Sequence, residues 1–185
     1  MKIFESVVSS EDEYEWVVAV DDVDFDHLRI ESPDPVTTGW VPIAVELVRE
    51  DEGIHMVEAD FPWLGSYALV MRPAAAAFVG RLLDGCAELL PLSTTDDDGL
   101  QLLHVTDQRD ALDEDASDIV RFRSGRVMTV RDHAFRPAAL EGVRCFTIPQ
   151  TAGASIYVTE EIVDAITASG FTGFAAELVW EHGPR

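Results

Sequence analysis

The 185-residue sequence predicts an α+β domain, a largely antiparallel or mixed β-sheet with two main helices. Three observations carry the prediction. Short alternating or β-branched segments recur between turn signals. Only two segments show a clear helical period. The two kinds do not alternate as β-α-β-α, which argues against a doubly wound parallel sheet. A 47% hydrophobic composition and a mean hydropathy of +0.06 suit a packed core rather than a disordered chain.

Residues 14–20 (Tyr-Glu-Trp-Val-Val-Ala-Val) read as the first strand. Asp22, Asp24 and Asp26 then alternate with Val23 and Phe25. An extended backbone would show three carboxylates on one face and two apolar groups on the other. Pro33, Pro35 and Gly39 mark a loop. Val41, Ile43, Val45 and Leu47 alternate along a strand over 40–48, and Glu50-Asp51-Glu52-Gly53 turns it back as a hairpin with 54–58. Phe61-Pro62-Trp63-Leu64-Gly65 is a turn dense with apolar groups, either a buried corner or a contact loop, with the buried reading favoured.

Pro73 suits a first helical position, where a missing N–H costs nothing. Four alanines follow, then Phe78, Val79, Leu82, Leu83, Cys86, Leu89 and Leu90 at gaps of three and four, predicting a helix over about 73–90 that Pro91 ends. Asp96, Asp97, Asp98 and Gly99 form an exposed turn before a strand at 100–105. Residues 107–118 are an acidic loop or a short helix. Segments 119–123 and 126–131 make a hairpin across Ser124-Gly125, and 143–148 pairs with 155–159. Thr159 caps a second helix over 160–169, with Glu160 and Glu161 in its first turn and Gly170 at its end. A last strand spans about 174–181.

Charge is the strongest functional signal. Thirty-five Asp and Glu face thirteen Lys and Arg, a formal net charge of −22. Residues 1–60 alone carry seventeen acidic and three basic side chains. Such a surface repels nucleic acid and anionic membrane, and it steers basic partners into fast encounter. No apolar run approaches the ~20 residues of a membrane helix, and the start lacks a secretory pattern. Cys86 and Cys145 suit two buried reduced thiols. A cytoplasmic protein is expected. Length suits one domain, 1–185, or one domain with an acidic N-terminal β lobe at 1–58 and the remainder at 60–181.

The common catalytic signatures are missing: no G-x-S-x-G, phosphate loop, G-x-G-x-x-G, H-E-x-x-H or C-x-x-C stands in the chain. Asp22, Asp24 and Asp26 match positions one, three and five of a calcium loop, but His27 and Pro33 stand where Gly and Glu are needed. The five histidines have no metal-like spacing. Arg131-Asp132-His133 could hold a general base and Asp113-Glu114-Asp115 paired carboxylates, but structural and solvated roles account for both. Cys145 lies in an apolar strand, which favours burial over nucleophilicity. No catalytic residue, metal or cofactor is assigned.

A series of short segments runs through the last two-thirds: Phe61-Pro62-Trp63, Glu88-Leu89-Leu90-Pro91-Leu92, Asp110-Ala111-Leu112-Asp113, Phe135-Arg136-Pro137-Ala138-Ala139-Leu140, Cys145-Phe146-Thr147-Ile148-Pro149 and Ile156-Tyr157-Val158-Thr159, closing on Gly173 to Trp180. Over roughly residues 60–180 their order resembles the myxobacterial-type immunity proteins of bacterial polymorphic toxin systems, immunity family eleven. The resemblance implies a non-enzymatic protein that binds and neutralises a cognate toxin, often a nuclease, without touching nucleic acid itself. It carries no site residues with it. Charge then nominates Asp12, Glu13, Asp22, Asp24, Asp26, Asp96, Asp97 and Asp98 as toxin-facing carboxylates that mimic a phosphate backbone before a basic nuclease groove. The alternatives are a hydrolase-like enzyme with scattered active-site residues and an acidic nucleic-acid mimic or adaptor unrelated to toxins. A general acidic coat for solubility is the plainer reading of any single cluster.

Overall fold

The computed structural model describes residues 1–9, 14–65, 68–96 and 98–183, with Asp22 described by its backbone alone. It is an α+β fold with mainly antiparallel strands in several small sheets. In chain order the elements are β1 (Lys2–Val8), β2 (Trp16–Ala19), α1 (Asp22–Leu28), β3 (Val45–Val48), β4 (Glu50–Asp51) and β5 (Ile54–His55). There follow β6 (Val70–Met71), α2 (Pro73–Leu82), β7 (Ala87–Pro91), β8 (Gln101–Val105), β9 (Asp118–Arg121) and β10 (Val127–Asp132). The chain ends through β11 (Cys145–Phe146), β12 (Tyr157–Thr159), α3 (Glu160–Ser169) and β13 (Phe174–Glu181), with 3-10 turns at Pro137–Leu140 and Pro149–Thr151.

The largest sheet has the order β11-β12-β1-β13, and every neighbouring pair in it is antiparallel. Its centre is β1, a strand the sequence reading left unassigned. The first eight residues are thereby sewn between strands more than 140 residues away, Ile3 opposite Thr159 on one side and Trp180 on the other. A second sheet runs β6-β8-β7, and β2 with β3 and β9 with β10 form separate antiparallel pairs.

Three apolar clusters hold these layers. One packs α2 and α3 around Met71, Val79, Leu83, Val158 and Ile162. A second packs β2, β3 and the β6-β8-β7 sheet with Leu28 of α1. The third is aromatic and joins Phe135, Phe146 and Tyr157, with Trp180 at its margin. Phe61 and Leu64 are each 2% exposed, so the Phe61–Gly65 corner is buried, and Trp63 stacks on Trp16 at 5.6 Å.

Two predicted elements are corrected. The helix predicted over 73–90 ends at Leu82. Gly85 takes φ +81°, the Cys86 N–H bonds the Leu83 carbonyl, and Ala87–Pro91 leaves as a strand beside β8. Pro91 is tolerated there because β7 is an edge strand. The apolar spacing misled because 86, 89 and 90 continue a helical period by coincidence. Gly80 belongs to this same contact: a Cβ there would lie 2.9 Å from Leu89 Cδ1, so β7 presses directly onto α2. The second correction is the extended segment through Asp22, Asp24 and Asp26, which is the helix α1.

Candidate functional site

Local chemistry explains α1. Asp21 is extended (φ −114°, ψ 130°), and its carboxylate accepts the Val23 N–H at 3.0 Å, the geometry of an N-cap. Negative charge in the first turn favours the helix further. Leu28, 2% exposed, is the fully buried anchor of the helix among its described side chains. With one buried side chain among the six described there is no apolar period to read, and the alternation of Asp with Val and Phe imitates a strand.

In a helix, residues two apart are about 200° apart around the axis, so Asp24 and Asp26 leave it on different sides although both border one groove. Asp24 is half-buried and lies 3.4 Å from His27 Nδ1, while Asp26 is exposed and has no ion pair among the described residues. Between them α1 turns apolar groups to solvent: Val23 is 67% exposed and Phe25 47%.

Beside α1 lies an open groove of about 900 Å³. Asp24, Asp26 and Glu31 supply carboxylates, and Ile30, Trp40 and Val41 supply apolar surface. Val41 is 76% exposed. Trp40 is fixed by its indole N–H, which donates to the Pro91 carbonyl at 2.8 Å. Arg29, 3.9 Å from Glu31, and His27 line it as well, so Asp26 is the groove carboxylate with no ion pair among the described residues. Apolar walls beside carboxylates suit an interface, because apolar contact supplies affinity and charge supplies selection and speed.

The groove's far wall, Ser32 to Thr37, is clasped by Glu88 of β7. Its carboxylate accepts the N–H groups of Val36 (2.6 Å) and Thr37 (3.2 Å), the Thr37 hydroxyl, and His104 Nδ1 (2.9 Å). His104 Nε2 lies 2.9 Å from the Ser32 carbonyl. The ring thus bridges the Glu88 carboxylate and the Ser32 carbonyl. Burial works to raise the Glu88 carboxyl, but the hydrogen bonds from Thr37, Val36 and His104 outweigh it and hold the group below its ordinary value. Sequence reasoning missed this clasp, since its parts lie 16 to 72 residues apart.

The other nominated carboxylates lie elsewhere. Asp12, Glu13 and Asp97 lie outside the described residues. Asp96 and Asp98 belong to an ion cluster organised by Arg49, which reaches Asp96 at 2.8 Å and Asp98 at 3.1 Å. At its centre is Glu15, 1% exposed, paired with Arg72 at 2.5 Å and Arg49 at 3.5 Å. Asp98 also meets Arg72 at 3.4 Å. Asp98 is therefore committed to internal cations, and Asp96 shares one of them. The structure brings Asp24 and Asp26 to one groove and holds Asp96 and Asp98 in a different place.

The catalytic candidates occupy structural settings. His133 is 6% exposed among Phe135 and Tyr157, and burial lowers its pKa to about 4. Cys145 is fully buried, which pushes its thiol well above the ordinary value. Glu114 is engaged by Arg121 at 2.5 Å and Gln150 at 2.9 Å. Among the described residues, no three His, Cys, Asp or Glu side chains are placed to hold a metal ion, and no helix is long and apolar enough to cross a membrane.

No protein-family model matches the chain, and no curated protein matches it either.

Proposed function

We propose that this protein acts by binding another protein: a cytoplasmic immunity protein that neutralises a cognate polymorphic toxin, a basic nuclease domain, by one-to-one occupation. The observation that carries this reading is the open groove of about 900 Å³ beside α1, where exposed Val41 stands with Ile30 and Trp40 near Asp24 and Asp26. Exposed apolar walls in an open groove suit contact with a partner. The net charge of −22 says what sign the partner has. A nuclease meets both requirements, because it carries basic residues to hold phosphates. The ordered resemblance over residues 60–180 supplies the biological setting, defence of the producing cell against its own toxin.

The test is biochemical. The chain is produced together with the toxin-like protein encoded beside its gene, and nuclease activity is titrated against added chain. The expected result is a stable complex and activity lost at a molar ratio of one. Full nuclease activity in excess chain would refute the reading.

A further inference from the structure

The β9–β10 hairpin reverses the charge of the rest of the molecule. From Asp118 to Asp132 it holds four arginines against two aspartates, which pair across its base away from the turn. Across the rest of the fold, basic side chains are mostly neutralised from within: Lys2, Arg29, Arg49, Arg72, Arg109 and Arg136 each meet a carboxylate. On the hairpin only Arg121 does, through Glu114. Arg123 and Arg131 have no hydrogen bond or ion pair among the described residues. Arg126 lies over the Phe122 ring at 5.0 Å and has no carboxylate partner. Away from the hairpin, Arg144 is held by the Leu82 and Asp84 carbonyls, and Arg81 has no ion pair among the described residues. Arg123 and Arg126, with no carboxylate partner among the described residues, flank the turn of the hairpin, and Arg131 lies toward its base. The same hairpin exposes Phe122 (41%) and Met128 (52%).

The turn of the hairpin complements the α1 groove: guanidinium groups beside apolar side chains on the hairpin, Asp24 and Asp26 beside apolar side chains in the groove, whose Glu31 is already shared with Arg29. We infer that the basic hairpin of one copy docks in the acidic groove of a second copy, so that the free protein self-associates through the surface its partner would occupy. The inference rests on the reading of the groove as a site for guanidinium-bearing protein segments. Hairpin and groove are different patches, so the contact is head-to-tail, and mass grows with concentration unless a ring closes. The salt dependence follows from two length scales. Net charge repels two copies when the Debye length is about 30 Å at ~0.01 M salt, and that repulsion is screened at ~0.15 M. The short-range ion pairs survive there and weaken toward ~1 M, where the length is about 3 Å. Association therefore peaks at intermediate salt. A single-stranded nucleic acid on the hairpin is disfavoured by the acidic bulk of the molecule.

The experiment is sedimentation velocity of the full chain from about 10 µM to about 1 mM at the three salt concentrations. The expected result is an average mass that rises with concentration, most at ~0.15 M. R123E/R126E and D24R/D26R alter exposed or half-exposed groups, and circular dichroism checks that both fold. Each alone should weaken association by roughly tenfold or more, and an equimolar mixture should restore it, because opposite charges then meet. A monomer at every concentration would overturn the inference, as would a mixture that fails to associate. Binding of a fluorescent oligouridylate by the wild type but not by R123E/R126E, without self-association, would assign the hairpin to nucleic acid and also overturn it. Calorimetry with hexa-arginine separates the two readings. Heat with the wild type but not with D24R/D26R keeps the groove reading even if the hairpin contact fails.

Discussion

His133 places its Nε2 3.0 Å from the Tyr157 hydroxyl inside the aromatic cluster, where solvation of a charged ring is lost. Its folded pKa is about 4 against an ordinary 6.5. Between those values the unfolded chain binds a proton that the native state refuses, so stability falls as pH drops from about 6.5 to about 4. The full effect is on the order of 3 kcal/mol. Glu5, raised by burial, pulls the opposite way above its ordinary value and is common to wild type and variant. The stability difference between wild type and His133→Phe, from urea melts at pH 7 and pH 4, should therefore shrink or reverse by about that amount at low pH. A difference independent of pH would contradict the assignment. Glu15 is the second sensitive residue. Glu15→Ala leaves Arg72 and Arg49 without their central carboxylate and should cost about 3 kcal/mol in urea melts, against about 0–1 kcal/mol for the exposed Asp96→Ala. Equal costs would show that the cluster has no buried centre. Neither residue was legible in the sequence, where His133 and Glu15 are one histidine and one acid among many. Burial by remote chain segments gives them their roles.

At the scale of elements, Glu88 holds the groove wall. Glu88→Ala removes three hydrogen bonds to Val36 and Thr37 and the partner of His104 Nδ1. Local stability of the 32–37 wall should drop by about 2 kcal/mol, so that the Val36 and Thr37 amides exchange tens of times faster. Unchanged exchange would mean that other contacts hold the wall. Elements closed by local chemistry were readable: α3 with Gly170 at φ +78°, the Glu52-Gly53 hairpin with φ +47° and +81°, and β13 over Phe174–Glu181. Elements set by distant partners were not. The strand β1 pairs with residues near the other terminus, β6 is two residues long, and β7 continues a helical period into a strand. The groove was half-legible. Asp24 and Asp26 were nominated for their charge, but the helix that sets their directions, and Trp40 and Val41 opposite, depend on how the 32–44 loop folds back.

At the scale of the molecule, the excess of acid is distributed unequally in its consequences. Asp98 and Glu15 bind internal arginines and hold the fold together. Asp26 has no ion pair among the described residues and faces a groove with apolar walls. That division makes the central claim, an anionic face that captures a basic protein, testable without knowing the complex. The most direct measurement is the association rate with the neighbouring toxin-like protein by stopped flow, as ionic strength rises from about 0.02 M to about 0.5 M. The account predicts a fast rate that falls steeply with salt, and a rate roughly tenfold lower with a shallower slope for the Asp22→Asn, Asp24→Asn, Asp26→Asn triple variant. An identical rate and an identical slope for wild type and variant would contradict it.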